Sequence, residues 1–433
     1  MEPRQIIADR AMSRMQWIAV AICVALNALD GFDVLSISFA SPGIATEWGI
    51  DRAALGVVLS MELIGMAVGS VLLGNLTDRI GRRPMILACL LLMVAGMALA
   101  TTSTSVIMLA LWRLATGLGI GGMLAAVNAM AAEVSNAHRK SLSVALMAAG
   151  YPMGAVVGGS IASALLVGGD WRLVFLLGAG MTAALVPVVW FLMPETVAYL
   201  DHRRPLDALA RINRVLTRFG HPTVATLPPP RPAERASIAR LFAPGIARTT
   251  ILLALAYFAH VLTFYFIIKW IPKIVVDLGH APSAAGGVLV WANVGGATGA
   301  LVLGLMSMRL PLKKLTLVGM AASVVLVVLF GQVGDGLGEL ALVAAIAGFA
   351  TNAVIVGLYA IIARAFPTSL RAGGTGFVIG VGRGGSALAP IVAGILFSKG
   401  FGLPVVAATM ACGSLLAFFL LLALRYDEAR LHD

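Results

Sequence analysis

Long apolar stretches alternate with short polar breaks along almost the whole chain. Twelve of these stretches approach or exceed the roughly 20 apolar residues that a helix needs to cross a bilayer. They lie near 17–40, 53–74, 84–101, 105–127, 141–166, 171–193, 248–271, 284–307, 312–332, 338–362, 372–397 and 403–424. The sequence lacks the segments of about ten alternating residues that are typical of a membrane β-barrel. The pattern therefore predicts an all-α polytopic membrane protein.

The composition supports this interpretation and excludes several other classes of protein. Of the 433 residues, 60% are hydrophobic and 12% charged, and the mean hydropathy is +0.96. Soluble domains carry about 25% charged residues, which excludes a soluble enzyme, a disordered chain and a disulfide scaffold. Cys23, Cys89 and Cys412 fall inside apolar spans, so we expect neither a disulfide nor a metal site. We also expect no cofactor and no enzymatic activity.

The formal net charge of +11 is unevenly distributed between the two sides of the predicted membrane. If both termini are cytoplasmic, 24 of the 31 Lys and Arg residues lie in cytoplasmic segments and five in outer loops. This is the positive-inside bias. It predicts a multi-pass inner-membrane protein with both termini in the cytoplasm, surrounded by lipid, and it explains the basic charge without a nucleic-acid partner.

The longest polar segment follows the sixth span. Residues 194–247 are rich in Arg and contain Pro228, Pro229 and Pro230. We therefore expect an N-terminal six-helix bundle over 1–193, a central cytoplasmic linker over 194–247, and a C-terminal six-helix bundle with a short cytoplasmic tail over 248–433. Within the linker, 207–219 is expected to form a short interfacial helix with one basic and one apolar face.

The two halves resemble each other at an offset of 230 residues. Residues 47–74 align with 277–304 without a gap, and the alignment matches glycines and apolar residues over a loop and a whole helix. Internal duplication with a site between the halves, near the middle of the membrane, is typical of secondary transporters.

The loop between the second and third spans carries the most specific motif. Residues 74–84 read GNLTDRIGRRP, which resembles the G-x-x-x-D-R-x-G-R-R signature of the major facilitator superfamily. The resemblance implies twelve helices in two pseudo-symmetric six-helix bundles. An Asp here can face a helix N-terminus while the arginines reach a carboxylate on a neighbouring helix end. The alternative is a solvated turn.

We expect this loop to close the cytoplasmic side in one state and to release it in the other. The gating residues predicted are Asp78, Arg79, Arg82, Arg83 and, as a carboxylate partner in the next cytoplasmic loop, Glu133. In the second half, Met308 stands where Asp78 stands in the first. Gating is therefore expected to be asymmetric.

A second motif indicates one particular family within this superfamily. Residues 30–33 read DGFD, similar to the D-G-x-D motif of the aromatic acid:proton symporters, and 270–272 and 382–383 also resemble that family. The resemblance implies import of a small aromatic carboxylate, such as a hydroxybenzoate, together with protons by alternating access. Proton-driven efflux of amphipathic compounds and symport of another organic anion are the alternatives. Residues 150–159 approach an antiporter motif but place the proline differently.

Charged residues inside the spans are the candidates for proton coupling, since a charge at a helix centre costs about 2.5–3.5 kcal/mol and usually faces a cavity or a partner. Asp30 and Asp33 share one helical face. In related sugar porters an Asp on helix 1 pairs with an Arg on helix 4, where Arg113 stands here. We predict that the two aspartates carry protons and that Arg113 is their counter-ion. The alternative is a static buried salt bridge.

Glu62 is predicted either as a second protonation site or as a helix-packing group.

The candidate substrate-binding residues come from helices 7, 10 and 11. Arg383 lies among glycines, and its planar guanidinium suits bidentate binding of a carboxylate. The alternative is that Arg383 binds no substrate and pairs with Glu62 or with a backbone carbonyl of a neighbouring helix. His260 is the counterpart of Asp30 at the offset of 230, which predicts that it faces the same cavity; a buried structural histidine is the alternative.

An aromatic wall is also predicted for the cavity. It consists of Phe264 and Tyr265 of helix 7, with Asn352 and Tyr359 of helix 10 as polar companions. Contact with lipid is the alternative explanation for such aromatic residues. Lys269 is expected to extend outward or to attract anions at the outer mouth.

Overall fold

The fold consists of membrane-spanning helices and a few short connecting helices. The structure is a computed structural model that describes residues 2–229, 238–367 and 370–424. Twelve helices in these ranges are long and apolar enough to cross a membrane, which confirms the predicted multi-pass protein. They are α1 (Arg14–Trp48), α2 (Arg52–Ile80), α3 (Arg82–Thr101), α4 (Val106–Glu133), α5 (Lys140–Leu165), α6 (Arg172–Leu192), α7 (Ala247–Asp277), α8 (Pro282–Met306), α9 (Leu312–Phe330), α10 (Leu337–Ala365), α11 (Arg371–Ser398) and α12 (Leu403–Ala423). The predicted tail from residue 425 lies outside the described residues.

The polar breaks between the spans act as helix caps. The Ser13 hydroxyl accepts a hydrogen bond from the Gln16 amide at the start of α1, and the Gln16 side chain accepts one from the Ser13 amide. Asp51 caps α2 in the same way through the amide of Ala54, at 2.8 Å. Between α2 and α3 the chain turns at Gly81, whose φ of +111° is a conformation that favours glycine. Several helices, among them α1, α2 and α7, therefore extend beyond the apolar stretches that predicted them.

Two short α-helices lie in the described part of the segment that joins α6 to α7, and a 3-10 turn at Ile238–Phe242 precedes α7. The two α-helices span Val197–Arg203 and Ala208–Arg218, so the helix expected over 207–219 is present to within one residue at each end. Ile212, Val215 and Leu216 are buried on one of its faces, while its arginines are exposed. This helix therefore packs against the protein through its apolar face.

The two ends of the molecule differ in how the halves meet. We call the end with the Gly81 turn and residues 134–139, 193–229 and 238–246 the motif end. The opposite end, with residues 49–51 and 278–281, is the far end. At the far end one hydrophobic core draws on both halves and includes Phe39, Leu55, Phe266 and Val288.

Toward the motif end, each half has its own hydrophobic core. One is built mainly by α1–α6, with the short helices Pro3–Asp9, Val197–Arg203 and Ala208–Arg218, and includes Ala387 of α11. The other is built mainly by α7–α12. On α11, Gly373, Gly376 and Gly380 have open space where a Cβ would stand. The halves are thus packed together at the far end and separated toward the motif end.

Candidate functional site

Three buried charges from three helices meet between the halves. Glu62 of α2 forms an ion pair with Arg113 of α4, and the Lys269 Nζ of α7 lies 3.6 Å from Glu62 Oε2. All three side chains are fully buried. Arg113 also donates to the Asp33 carbonyl at 3.0 Å, and Lys269 donates to the Val34 carbonyl. Lys269 therefore connects the second half to α1 and α2 of the first.

Arg113 lies within electrostatic range of Asp33 but forms its ion pair with a different carboxylate. In the part of the chain that the structure describes, it forms no ion pair with the carboxylate of Asp30 or Asp33; its ionic partner is Glu62. The reason is the close packing of α2 on α4: a Cβ on Gly117 would lie 2.1 Å from the Glu62 carbonyl oxygen. The absence of a side chain at Gly117 brings the two helices together, which places Glu62 next to Arg113.

The position of Lys269 also differs from the one that the sequence predicts. It was expected to extend outward or to reach the outer mouth, yet its side chain has no exposed surface. Glu62 and the Val34 carbonyl hold it at the boundary between the halves. The expectation is wrong because it could not take account of an acidic partner on the other half.

Asp30 and Asp33 are both buried but lie in different surroundings. Neither carboxylate oxygen of Asp33, nor Oδ1 of Asp30, has a hydrogen-bond partner among the described residues. Asp33 Oδ1 lies 3.1 Å from where a Cβ on Gly178 of α6 would stand, so this carboxyl faces into the first half. Asp30 instead lies within electrostatic range of Arg383 on the other half. Asp33 lies within electrostatic range of Arg113, so a different cation acts on each aspartate.

Arg383 is half-buried at the boundary between the halves. Its Nη1 donates to the Met66 carbonyl of α2 at 3.0 Å, which is the backbone-carbonyl partner considered from the sequence. Gly382 next to it has a packing role, since a Cβ there would lie 1.9 Å from Cδ1 of the Tyr257 ring. A guanidinium carries five N–H groups, so the bond to Met66 leaves capacity for a ligand.

Two tyrosines of α7, Tyr257 and Tyr265, lie within electrostatic range of this arginine, and each contacts or faces a further tyrosine. The Tyr257 hydroxyl donates to the Tyr359 hydroxyl at 2.9 Å, and their ring centroids are 5.5 Å apart. Tyr265 lies within electrostatic range of Arg383, and Tyr151 of α5 within range of Tyr265. Sequence reasoning found Tyr265 and Tyr359 but missed the other two. The spacing of eight between Tyr257 and Tyr265 places both on one face of α7 and could have identified Tyr257.

The other predicted binding residues are engaged in helix packing. Both ring nitrogens of His260 have partners inside the second half, the Ser414 Oγ at 3.0 Å and the Thr351 carbonyl at 2.9 Å. The expectation that His260 faces the central cavity is therefore wrong, and the structural alternative applies. Its ring points toward α10 and α12, where both nitrogens find partners.

Asn352 and Phe264 occupy the margins of this region. Asn352 donates to the Gly296 carbonyl of α8 at 2.8 Å, so its amide holds α8 and α10 together. Phe264 is half-buried and packs edge to face on Tyr265, with ring centroids 5.3 Å apart. Of the predicted aromatic wall, Tyr265 lies within electrostatic range of Arg383, and Tyr359 is joined to this region through the hydroxyl of Tyr257.

The predicted gating residues form one network at the motif end. Arg82 lies 3.0 Å from Asp78 and 2.8 Å from Glu133, the carboxylate partner expected from the sequence. The Thr196 hydroxyl donates to the other oxygen of Glu133 at 2.5 Å. Arg79 is exposed, and its carbonyl accepts a hydrogen bond from the Tyr199 hydroxyl.

A further carboxylate in this network was not predicted. Glu195 accepts hydrogen bonds from the amides of Arg82 and Arg83, at 3.2 and 3.3 Å, and so caps the N-terminus of α3. Burial raises the pKa of this carboxyl, against the opposing effect of these amides. Glu195 lies in the segment Pro194-Glu195-Thr196, directly after the end of α6.

Comparison with known proteins places this architecture in a family. The model of the Major Facilitator Superfamily matches residues 20–268 and 253–433. The gallate transporter of Pseudomonas putida is 29% identical, with 96% of this chain and 93% of that protein covered. The 4-hydroxybenzoate transporter of the same species is 31% identical, with 90% and 88% covered.

Solved structures support the same fold. The xylose transporter of Escherichia coli in an inward-open conformation superposes with a TM-score of 0.73 at 14% identity, over 95% of this chain and 96% of that one. At this identity the similarity concerns the fold alone, and it confirms the predicted arrangement of twelve helices. From the family model, the related transporters and the fold together, the chain belongs to the major facilitator superfamily of membrane transporters and resembles its aromatic acid transporters.

Proposed function

We propose that the protein is an inner-membrane secondary transporter that imports a small aromatic carboxylate together with protons. Residues 1–193 and 248–433 would form the two bundles that move about the central site, joined by the 194–247 linker, with both termini in the cytoplasm. The observation that carries the proposal is the half-buried Arg383 among tyrosines at the boundary between the halves. The names of the related transporters, for gallate and 4-hydroxybenzoate, agree with such a substrate.

Arg383 is proposed as the anchor of the substrate carboxylate. One of its N–H groups is bound to Met66, and the remaining donors can form a bidentate pair with a carboxylate. The tyrosines supply ring faces for stacking, worth about 0.5–1.5 kcal/mol per pair, and hydroxyls that can pair with ring substituents. Tyr359 is 40% exposed, so its ring is accessible to a ligand.

Asp30 is proposed as the group that couples proton binding to substrate binding. Across the boundary, Asp30 lies within electrostatic range of the Arg383 cation. A substrate carboxylate on Arg383 would neutralise that cation and leave Asp30 buried without a counter-charge. Burial of an unpaired carboxylate is unfavourable, so the protonated form is then preferred. By linkage, the proton in turn favours binding of the substrate.

Glu62, Arg113 and Lys269 are proposed to close the far end. Glu62 and Arg113 pair within the first half, whereas Lys269 has its partners, Glu62 and the Val34 carbonyl, only while the second half packs on α1 and α2. Asp33, buried beside them without a hydrogen-bond partner among the described residues, is proposed as a second proton site. At the motif end, Asp78, Arg79, Arg82, Arg83 and Glu133 are proposed to close the opposite gate in the other state. Each of their contacts noted above lies within the first half or joins it to residues 195–199 of the linker, which agrees with a gate that has released the second half.

The test is uptake of labelled 4-hydroxybenzoate by proteoliposomes. With an imposed pH gradient, acid outside, we expect accumulation above equilibrium that collapses on addition of an uncoupler. Vesicles with no gradient, and vesicles without protein, are the controls. Accumulation that ignores the uncoupler would contradict proton coupling. Loss of preloaded substrate that is driven by an inwardly directed proton gradient would instead indicate efflux.

A further inference from the structure

A surface cavity of about 380 Å³ lies at the motif end, between the start of α3, the end of α6 and the helix Ala208–Arg218. Its wall is unusually rich in guanidinium groups. The charged residues that line it are Arg83, Arg211, Arg214, Arg218, Glu195 and Asp207. Four cations thus face two carboxylates.

Both carboxylates are already engaged by the protein. Glu195 caps α3 through two backbone amides, and Asp207 pairs with Arg211 at 2.8 Å. In the ranges that the structure describes, Arg83, Arg214 and Arg218 form no ion pair with a carboxylate. The cavity therefore has an excess of positive charge that is not neutralised within the protein.

Two of these arginines bind the end of α6 through backbone carbonyls. Arg83 donates to the Trp190 carbonyl at 2.5 Å, and Arg218 to those of Phe191 and Leu192, at 2.7 and 3.1 Å. A carbonyl satisfies an N–H group but does not neutralise the charge. The guanidinium groups are thus held in place with their charges available to an anion.

The cavity adjoins large apolar side chains at the end of a membrane span. Trp190 is 57% exposed and Phe191 70%. The Arg83 guanidinium lies 5.6 Å from the centre of the Trp190 ring. Aromatic residues at span ends lie at the level of the lipid headgroups. Positive charge and an apolar, lipid-facing surface therefore meet at one place.

We propose that this cavity binds the phosphate headgroup of an anionic phospholipid, whose acyl chains lie along Trp190 and Phe191. Arg214 and Arg218 contribute donors in the planar geometry that matches phosphate oxygens. A free phosphate would share the headgroup chemistry but not the contact with the apolar residues. A zwitterionic lipid carries its own ammonium group and gains less from the arginines.

Arg214 is the residue to change, since it forms no side-chain hydrogen bond or ion pair with the described residues and its loss leaves the helix intact. That helix is held independently by Asn213, whose amide group bonds both the carbonyl and the amide of Val224. The matched control is Arg364, an exposed arginine near the end of α10 in the other half. Both Arg214→Gln and Arg364→Gln remove one surface charge at the motif end.

The experiment measures quenching of Trp190 fluorescence in detergent-purified protein by lipids with brominated acyl chains, added in mixed micelles. A Trp190→Phe variant provides the background from the other tryptophans. We expect brominated phosphatidylglycerol to quench Trp190 at a lower mole fraction than brominated phosphatidylcholine. A cation near an anionic headgroup contributes about 1 kcal/mol to the binding free energy. Arg214→Gln should therefore weaken the preference for phosphatidylglycerol over phosphatidylcholine about fivefold, and Arg364→Gln should leave it unchanged.

Three outcomes would overturn the proposal. Equal quenching by the two lipids would show that charge does not select the ligand. An equal effect of the two substitutions would show that only overall surface charge matters. Displacement of the quenching by millimolar inorganic phosphate, at constant ionic strength, would assign the cavity to free phosphate instead of lipid.

Discussion

Glu62 of the first half and Lys269 of the second approach to 3.6 Å inside the protein, with no exposed surface on either side chain. Arg113 completes the group on the side of Glu62. One carboxylate therefore serves two buried cations, and it does so only while the halves are packed at the far end. This relationship makes the far-end contact sensitive to the charge of a single residue.

Glu62→Gln should open the far end. The substitution leaves Arg113 and Lys269 buried together without an anion, and removing one partner of a buried ion pair costs about 3–5 kcal/mol. Distances between spin labels at Thr104→Cys and Gln332→Cys, which lie in exposed far-end turns of the two halves, should increase in this variant. For the labels to report only these sites, Cys412, which is exposed, is first changed to Ala.

The double variant Glu62→Gln/Lys269→Met is the matched test of this mechanism. It removes the second cation as well, so the shorter distances should largely return. Glu47→Gln, which removes the partner of Arg172 within the first half, should leave the distances unchanged. Unaltered distances in Glu62→Gln, or no recovery in the double variant, would contradict a charge-dependent closure.

Asp30→Asn should abolish uphill uptake while exchange of substrate across the membrane continues. An amide cannot carry the proton, yet it occupies the same space next to Arg383. Uptake driven by a pH gradient and counterflow in its absence are measured in the same proteoliposomes. Asp335→Asn, in an exposed far-end turn, serves as the control. Uphill uptake at the parent rate would remove Asp30 from the coupling mechanism.

Arg383→Lys should weaken substrate binding about tenfold or more. A lysine keeps the charge but loses the bidentate geometry, and hydrogen bonds to a charged group contribute about 1.5–3 kcal/mol. Binding of 4-hydroxybenzoate to detergent-purified protein, measured by calorimetry, gives the affinity directly. Arg364→Lys is the control for a general effect of arginine replacement. Parent-like affinity in Arg383→Lys would place the substrate carboxylate elsewhere.

Asp78→Asn should slow turnover without changing the preference among aromatic acids. Asp78 lies at the motif end and contacts Arg82, on the same side of the membrane as Glu133 and away from Arg383. The measurement is the maximal uptake rate together with competition by a panel of substituted benzoates. A changed order of preference would contradict a purely gating role.

Glu195→Gln should stabilise the protein at neutral pH relative to the parent. Because burial raises the pKa of Glu195 in the folded protein, the folded state holds its proton to a higher pH than the unfolded state does. The parent therefore loses stability as the pH rises from the unfolded pKa of this group through its raised folded pKa. The variant has no such ionisation, since Gln is neutral at every pH.

The difference in melting temperature between Glu195→Gln and the parent should thus be small at acid pH and grow as the pH rises. Thermal unfolding in detergent, followed across this pH range, measures it. Glu339→Gln, which removes a carboxylate from the exposed start of α10, is the control. A difference that shrinks as the pH rises would show that the backbone amides outweigh the cost of burial.

The sequence by itself determined the number of spans, the helix over 208–218 and the family. Each of these depends on local properties, namely apolar stretches of sufficient length, a basic and an apolar helical face, and a motif of adjacent residues. The intramembrane charges could be identified in the same way, since a charge in an apolar span is conspicuous in the sequence.

Only the tertiary structure decided which of those charges meet. Arg113 pairs with Glu62 because Gly117 allows α4 to approach α2, and His260 turns to Ser414 because α12 packs on that face of α7. Which buried side chains pair depends on how each helix is rotated about its axis and on its depth in the bundle. Long-range packing sets both, and the hydrophobic periodicity of the sequence does not indicate them. The same reason explains why Lys269, which the sequence placed at the mouth, lies buried against the opposite half.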